Sequence, residues 1–386
     1  MLAPLALAVT GDGDKSHPLS SGFDPRAMGG CLSRVKNVLH YLGYDSDPGG
    51  IVSVVRNLAE AGQFDVCLGL NRGAQQNRAP ALPQMEFTAL EGEVLTPQTF
   101  WRSRRVAREV QAWLVGDEKR VFHGHSRAGL VVGNWLHQWG ERRIMVSVHC
   151  YGRRRWFYRQ AEERLGRRLY WLSPAMKRYY EIVAPDTWEQ CMPGGGALSS
   201  PGVVRPEAPA KSASFCLVGI GDCVPRKRWD LVLAALGELP AEVTFEHIGG
   251  GSDAAVAELA RQTVEPGLSD RVAWHGRQPD SQQILAKADA LVVASENEPF
   301  AMAILEALAA GGPVIAADSG GTVDVVEPGK NGELFRSGDA GDLASAVERW
   351  RERGADFRLN PPDESWRFAA GNIARHWADI YESLAD

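Results

Sequence analysis

The chain has 386 residues, more than the roughly 100–200 residues of an ordinary single domain, and this length predicts two domains. A composition of 44% hydrophobic and 23% charged residues, without biased repeats, excludes a disordered or fibrous protein. The net charge of -6 is unevenly divided: residues 1–200 carry 25 Lys and Arg against 19 Asp and Glu, and residues 201–386 carry 17 against 29. The first half therefore suits an anionic partner, while the whole chain does not have the charge of a nucleic-acid-binding protein.

The apolar runs of the chain, such as Leu2–Val9, are far shorter than the roughly 20 residues of a membrane span. The N-terminal run also lacks the basic flank and small-residue cleavage site of a secretory signal, so we interpret it as a first β-strand. The six cysteines are scattered without Cys-x-x-Cys or zinc spacing, which is typical of reduced thiols. These features predict a cytoplasmic protein.

Short apolar segments, predicted as strands, alternate with amphipathic patterns of helical spacing along the chain. The predicted strands are Leu5–Thr10, Phe64–Leu70, Arg120–His125, Arg143–His149, Phe215–Gly219, Val243–Ile248, Val272–Trp274, Ala290–Ala294 and Val314–Ala317. Helices are predicted at Trp229–Gly237, Met302–Ala310 and Asn372–Leu384. This alternation indicates an α/β protein of two tandem Rossmann-like, doubly wound domains, with the ligand in the cleft between them at the carboxyl ends of the strands.

The segment Pro193–Pro209 is rich in Gly, Pro, Ala and Ser and marks the domain boundary. We therefore predict an N-terminal domain over residues 1–200 and a C-terminal domain over residues 201–362. Residues 363–386 would form a helix that packs back on the N-terminal domain.

The strongest pattern runs from Ala294 to Ala307. A strand ends near Ser295, the carboxylate of Glu298 follows, and a helix is predicted to open at about Pro299, where a missing N–H costs nothing. The free amides around Phe300, Ala301 and Met302 would then form an anion site supported by the helix dipole. Glu306 lies two turns further, in an otherwise apolar helix, and needs an ion pair or a ligand to be stable there.

With the glycine-containing segments that follow, Gly311–Ala317, Gly320–Val326 and Asn331–Leu334, this pattern resembles the donor signature of retaining GT-B glycosyltransferases, family 4 in particular. The resemblance implies that Glu298 binds sugar hydroxyls and Glu306 the ribose of a nucleotide sugar. It extends upstream over the basic turn Pro225–Leu231, the turn Ile248–Gly251 and the loop Trp274–Arg277. There it assigns Lys227 and Arg226 to the diphosphate, Gly250 to a donor turn and Arg277 to the nucleobase.

One departure concerns the phosphate grip. The family usually has an arginine after the glycine of the first C-domain strand, but here Gly219 is followed by Ile220-Gly221-Asp222. Arg226 or Arg228 could replace that arginine.

The N-terminal half resembles the family more weakly. Arg120–Ser126, with its His-x-His, resembles a family strand whose last histidine contacts the transferred sugar, which would be His125, with His149 nearby. The glycine-rich acceptor loop could be Gly29-Gly30 or Gly49-Gly50, and we favour Gly49 and Gly50 because a predicted strand follows so soon. The roughly 40 residues before this pair then resemble an insertion.

The resemblance implies a retaining transfer of a sugar from a nucleotide diphosphate donor, UDP favoured over GDP or ADP, to a hydroxyl acceptor. His125 and Glu298 would be the catalytic residues, and no cofactor or metal is expected because no Asp-x-Asp motif lies in a plausible donor loop. The run Arg153–Arg178 carries nine positive and two negative residues with interleaved aromatics, which suits either an anionic membrane at the inner face or a solvated surface.

Two other functions fit parts of the sequence. Gly124–Gly129 resembles the nucleophile elbow of an α/β-hydrolase with Ser126 as nucleophile, although Ala128 replaces the last glycine of that motif. A non-catalytic nucleotide-sugar-binding protein of the same fold is the other alternative. A Rossmann NAD enzyme is disfavoured because no Gly-x-Gly-x-x-Gly opens a helix after a first strand.

Overall fold

The computed structural model describes residues 35, 37–43, 50–72, 82–90, 96–182, 186–192, 214–264, 267–278, 282–353, 359 and 367–385. The strands of this part are β1 Asn37–Gly43, β2 Asp65–Asn71, β3 Gln84–Phe87, β4 Arg120–His125, β5 Ile144–Val148, β6 Leu169–Trp171, β7 Phe215–Ile220, β8 Val243–Ile248, β9 Val272–Trp274, β10 Ala290–Val293, β11 Val314–Ala317 and β12 Gly332–Phe335. Its helices are α1 Gly50–Ala61, α2 Pro97–Val115, α3 Ser126–Gln138, α4 Arg155–Leu165, α5 Pro174–Tyr180, α6 Trp229–Glu238, α7 Asp253–Val264, α8 Gln282–Leu285, α9 Met302–Ala309, α10 Ala340–Arg351 and α11 Ala370–Ala385.

These strands form two six-stranded parallel sheets with the same topology. The first sheet has the order β3-β2-β1-β4-β5-β6 and the second β12-β11-β10-β7-β8-β9. If the strands of each sheet are numbered from its own first strand, both orders read 3-2-1-4-5-6. In both sheets the strand order therefore reverses beside the first strand. The prediction of two tandem doubly wound domains is thus confirmed, and the two switch points, β1/β4 and β7/β10, are where such sheets bind ligands.

Parallel strands that are covered on both faces have nearly continuous apolar sequences, which is why most of them could be recognised. All residues of β10 and β11 are buried, and the predicted and observed bounds of β4, β8, β9 and β11 agree. In β4 the buried positions include two histidines, His123 and His125. Polar groups at such positions need partners inside the protein.

Three strands were missed, and a fourth, β6, overlaps Tyr170–Ser173, a segment that resembles a later strand of the family. The central strand of the first sheet, β1, comes from the stretch that we interpreted as an insertion, and the predicted strand Leu5–Thr10 lies outside the described residues. The edge strands β3 and β12 were missed because each has only four residues, Gln-Met-Glu-Phe and Gly-Glu-Leu-Phe, too few to show a clear period. Strand β12 thus follows Val314–Ala317, the last of the predicted strands.

The C-terminal helix α11 packs against α1 and β4, and so against the first sheet, although it follows the second sheet in sequence. Its Trp377 and Tyr381 are fully buried there. The predicted domain boundary lies within residues 193–213, which are outside the described part. Among the helices that the structure describes, none is both long and apolar enough to cross a membrane.

Candidate functional site

Glu298 lies in the loop between β10 and α9, at the carboxyl end of the second sheet. Only 7% of the residue is exposed, and its Oε2 accepts hydrogen bonds from Nζ of Lys227 at 2.8 Å and from a guanidinium nitrogen of Arg226 at 3.4 Å. Burial opposes ionisation, but the two cations outweigh it and hold the pKa of Glu298 below its ordinary value. The carboxylate is therefore charged at neutral pH.

The basic turn reaches Glu298 because its backbone is fastened to the same loop. Arg226 and Lys227 belong to a short 3₁₀ turn, Pro225–Lys227, and the carbonyl of Arg226 accepts a hydrogen bond from the amide of Glu296 at 3.0 Å. The neighbouring Arg228 forms ion pairs with Glu296 and Asp230. Arg228 is thus paired with other carboxylates and lines neither of the two cavities that meet at Glu298, whereas Arg226 is the second cation at Glu298.

The Gly320-Gly321 pair holds the Glu298 loop from the other side. The amide of Gly321 donates to the carbonyl of Glu298 at 2.7 Å. Gly320 has φ +66°, and a Cβ there would meet the Glu298 carbonyl oxygen at 2.2 Å, so only glycine fits. Ser319 Oγ accepts from the amide of Asn297, which is in the left-handed region at φ +50°. The glycines of this segment therefore serve the close approach of two loops.

Helix α9 begins at Met302, as the helical pattern of Met302–Ala310 predicts and three residues after the start expected at Pro299, which lies in the preceding loop. The N-cap residue is Ala301, whose methyl group cannot accept a hydrogen bond from the first-turn amides. A ligand with acceptor oxygens would satisfy these donors and gain from the helix dipole. The uncapped helix start on which we based the predicted anion site at Phe300, Ala301 and Met302 is therefore present, and the site itself stays a prediction.

Two cavities meet at Glu298. The second cavity, of 640 Å³, belongs mostly to the second sheet, and its lining includes eight predicted donor residues. They are Arg226, Lys227, Arg277, Glu298, Phe300, Ala301, Met302 and Glu306. The first cavity, of 660 Å³, extends toward the first sheet, where Tyr151, Arg153 and His149 line it. A ligand could therefore contact both sheets at once.

Arg277 and Gly250 are in direct contact. The side chain of Arg277 pairs with Asp222 at 3.0 Å and lies so close to Gly250 that a Cβ there would meet its Nε at 2.5 Å. Asp222 was noted only as the residue that stands in place of a missing arginine. The negative charge of Asp222, opposite to the positive charge of Arg277, is the signal in the sequence that could have identified it as the partner of Arg277.

The acceptor loop is described in part. Gly50 is the first residue of α1 and lines both cavities, and a Cβ on it would lie 3.9 Å from Met302 at the start of α9. Gly49 and the alternative pair Gly29-Gly30 lie outside the described residues.

The histidines form a buried chain rather than a row of free side chains. His125 is fully buried, and its two ring nitrogens contact His40 Nδ1 and His149 Nε2, both at 2.9 Å. His123 contacts the hydroxyls of Tyr381 and Ser147, both at 2.6 Å. Burial lowers the pKa of His40 and of His149 to about 3 and that of His123 and His125 well below the ordinary value. All four imidazoles are therefore neutral at physiological pH.

His40 was missed by the sequence analysis because β1 was missed. Three of these histidines, His40, His123 and His125, offer ring nitrogens within 4.8 Å of one another, a spacing at which three imidazoles could hold a metal ion. Hydrogen bonds already engage every ring nitrogen of the three except His40 Nε2. Five of the six ring nitrogens of these three histidines thus have hydrogen-bond partners among the described residues.

The elbow-like segment has a packing explanation. Gly124, in β4, and Gly129, in α3, are in direct contact: a Cβ on Gly124 would meet the Gly129 carbonyl oxygen at 2.7 Å. The two glycines let α3 lie close against its strand. Their spacing therefore needs no catalytic serine between them.

Residues 205–360 match the family model for glycosyl transferases group 1. The chain is 34% identical over 182 residues to D-inositol 3-phosphate glycosyltransferase 2 of Catenulispora acidiphila, a match that covers 43% of this chain and 42% of that relative. The chain thus spans less than half the length of this relative and of the other curated relatives it matches.

The structural likeness is broader than the sequence likeness. The galactosyltransferase WaaB of the lipopolysaccharide outer core, in its apo form, has a TM-score of 0.68 at 19% identity, over 90% of this chain and 99% of that one. Anabaena HepE in complex with UDP-glucose has a TM-score of 0.64 at 21% identity, over 90% of this chain and 98% of that one. Residues 205–360 are therefore similar to the glycosyl transferases group 1, on a chain that has the GT-B fold.

Proposed function

We propose that this protein is a retaining glycosyltransferase of family 4 type, which moves a sugar from a nucleoside diphosphate donor to a hydroxyl acceptor. The observation that carries the proposal is the second cavity, where a buried carboxylate, two cations and the open N-terminus of α9 converge. Glu306 and Arg277 line the same cavity, and in this proposal they bind the ribose and the base of the donor. UDP is the favoured nucleotide, with GDP and ADP as alternatives.

In this proposal the diphosphate draws on the cations that now surround Glu298. Lys227, Arg226 and the first-turn amides of α9 balance the negative charge that grows as the diphosphate leaves. Glu298, freed of part of its pairing, accepts hydrogen bonds from sugar hydroxyls. The cavity wall thus offers cations to the anionic diphosphate and a carboxylate to the neutral hydroxyl groups of the sugar.

The proposed chemistry needs no covalent link to the protein. The bond between the anomeric carbon and the diphosphate oxygen breaks, and the acceptor oxygen bonds to that carbon on the same face. The acceptor proton passes to the departing phosphate, so the products are the glycoside and the nucleoside diphosphate. We expect this to proceed without a metal ion, with closure of the cleft to exclude water.

The binding test is thermal unfolding with UDP, GDP, ADP and dTDP. A nucleotide at 100 times its Kd should stabilise the fold by about 2.7 kcal/mol. We expect a shift with one base, lost in Glu306→Ala and kept in the matched variant Glu258→Ala on the exposed side of α7. The absence of a shift with all four nucleotides would refute the donor site.

A turnover assay distinguishes the two alternatives from the proposed function. A non-catalytic binding protein would show the nucleotide shift but release no UDP from UDP-sugars in the presence of a panel of sugar and polyol acceptors. A hydrolase would be labelled at Ser126 by a fluorophosphonate, whereas the proposed transferase would not react. Release of UDP by the wild-type protein that is lost in the Glu298→Ala variant supports the transferase.

We also propose that the N-terminal domain contacts an anionic membrane surface, with the protein at the cytoplasmic face. The support is local: Arg153 and Arg154 are exposed at the start of α4, and Trp156 is 57% exposed beside them. Lys177 does not contribute, because it is buried and donates to Thr187 and Glu189. Sedimentation with phosphatidylglycerol vesicles, reduced in Trp156→Ser and absent with phosphatidylcholine, is the expected result.

A further inference from the structure

We infer that the hydroxyl acceptor is a chain of at least two linked sugar units, whose terminal unit lies in the first cavity and whose second unit lies in a third cavity between the two domains. The inference rests on the proposed function, which it deepens by naming the class of the acceptor. The third cavity has a volume of 430 Å³, within the range of small-molecule sites, and none of the proposed donor residues lines it.

The first and third cavities share part of their walls. Tyr151, Tyr179 and Asn297 line both of them, and we call these three residues the junction. The two tyrosines belong to the first domain, and Asn297 belongs to the loop between β10 and α9 that carries Glu298. A ligand that begins beside Glu298 in the first cavity therefore reaches the third cavity by passing the junction.

The junction has polar groups that the protein itself does not use. The hydroxyl oxygen of Tyr151 is buried and has no hydrogen-bond partner among the described residues. Burial raises the pKa of Tyr151, so its hydroxyl keeps the proton at neutral pH and can both donate and accept. Asn297, whose backbone N–H donates to Ser319, is exposed on the other side of the junction. Because an unpaired buried hydroxyl costs free energy, a ligand hydroxyl at the junction would remove that cost.

The charges of the third cavity suit a neutral ligand. The two cations among its lining residues are both engaged by carboxylates: Arg155 pairs with Glu181 at 3.3 Å, and Arg178 pairs with Asp324 at 3.0 Å. At Glu298, in contrast, two cations share one carboxylate, which leaves positive charge for a diphosphate. Paired guanidinium and carboxylate groups still have N–H donors and lone pairs that neutral hydroxyl groups can use.

The third cavity also has apolar surface for the C–H groups of a sugar ring. Val323 is 36% exposed there, and the ring of Tyr179 forms part of the wall. The Tyr179 ring is held between Arg155, whose Cζ lies 4.3 Å from the ring centroid, and Tyr151, whose ring centroid lies at 4.6 Å. A sugar unit presents C–H and hydroxyl groups together, as this wall requires. A lipid chain would instead cover the paired ions without hydrogen-bonding to them, which costs free energy.

The length of the acceptor is the direct test. The acceptors are pairs of methyl glycosides that share their terminal sugar: methyl glucoside and methyl maltoside, methyl galactoside and methyl lactoside, and methyl mannoside and methyl mannobioside. With the nucleotide sugar that the wild-type protein turns over, at least one disaccharide should have a KM about tenfold below that of its monosaccharide. Equal KM values within every pair overturn the inference.

A blocking variant shows whether the third cavity causes this preference. Val323→Trp fills the cavity with a larger side chain and should abolish the preference for the disaccharide. The matched control is Val264→Trp, at an exposed valine of α7 that lines none of the three cavities, and it should keep the preference. A preference that survives Val323→Trp overturns the placement of the second unit.

Tyr151→Phe separates a role in binding from a role in folding. It removes a hydroxyl that has no partner among the described residues, so the Tm of the free protein should stay the same or rise. The KM of the disaccharide should rise about fivefold, because the ligand loses one hydrogen bond. An unchanged KM overturns the assignment of the junction to the acceptor, whatever happens to the Tm.

A binding measurement keeps this inference distinct from the proposed function. Saturation-transfer NMR in the presence of UDP should show both units of a disaccharide in contact with the wild-type protein, and the terminal unit alone in contact with Val323→Trp. Absence of transfer to the second unit of every disaccharide overturns the inference, even where UDP is released. Absence of nucleotide binding and of UDP release refutes the proposed function, while saturation transfer still tests the third cavity.

Discussion

The two walls of the cleft bury titratable groups in opposite ways. On the second-sheet wall, Glu298 stays charged because Lys227 and Arg226 lie against it. On the first-sheet wall, burial lowers the pKa of four imidazoles and keeps them neutral, and they hydrogen-bond to one another and to hydroxyls. The charged wall suits the phosphate end of a donor and the neutral wall suits hydroxyl groups, so the chemistry of each wall agrees with one end of the proposed ligand.

The net charge of each half of the chain does not describe the charge of its side of the cleft. The second half carries a net charge of -12, yet Arg226, Lys227 and Arg277 line its cavity. The first half carries +6, yet its wall beside β4 is neutral. A sum over half a chain describes its outer surface, whereas a site depends on the few side chains that the loops turn inward.

The neutral wall should make the protein sensitive to acid, and this is the largest effect that we expect. His40, His123, His125 and His149 are neutral when folded but have an ordinary pKa of 6.5 when unfolded, so unfolding takes up protons below pH 6.5. Stability is then complete above that pH and falls as the pH is lowered. From pH 7.5 to 5.5 the four groups should remove about 5 kcal/mol from the free energy of unfolding.

Denaturant titrations across this pH range measure how steeply the free energy of unfolding depends on pH, and this slope gives the number of protons taken up on unfolding. His40→Phe should reduce that number by about one. A free energy of unfolding that does not change between pH 7.5 and 5.5 would contradict the neutral wall.

The charged wall should respond to loss of its anion. Glu298→Ala leaves Lys227, whose side chain is only 14% exposed, without a counter-charge, and breaking a buried pair in this way costs about 3 kcal/mol. Glu296→Ala in the same loop is the matched control, since it removes an exposed pair with Arg228 and should cost less than about 1 kcal/mol. Equal losses in denaturant unfolding would show that Glu298 is not held as a buried ion.

The smallest effect concerns the contact that joins the walls. Asp324, after Gly320-Gly321, accepts from the amide of Ala175 at 2.7 Å and from Arg178 at 3.0 Å, both in α5 of the first domain. Asp324→Asn should destabilise the protein by about 1 kcal/mol, because a charge-assisted bond becomes a neutral one. Asp186→Asn, which alters an exposed partner of the same Arg178, should have no measurable effect. If Asp186→Asn destabilised the protein more than Asp324→Asn, the contact of Asp324 with α5 would not be the one that stabilises the junction of the two walls.

The extent of prediction differs between the walls as well. The predicted donor residues lie in one continuous stretch, two turns and one loop, and local patterns such as a strand end, a carboxylate and a helix start could be read in order. Even so, the start of α9 was placed three residues early, since Pro299 fits the loop before a helix as well as its first turn. The histidine wall combines β1, β4, β5 and α11, which no local pattern connects.

The sequence by itself determined the doubly wound class, most strands and most of the residues that line the second cavity, because apolar periodicity and loop chemistry are local properties. Only the tertiary structure decided that His40 lies behind His125, that His149 and not His125 lines the first cavity, and that the C-terminal helix covers this cluster with Trp377 and Tyr381. The reason is physical: a ring nitrogen's exposure and proton depend on neighbours that are 24, 85 and 258 residues away in the chain.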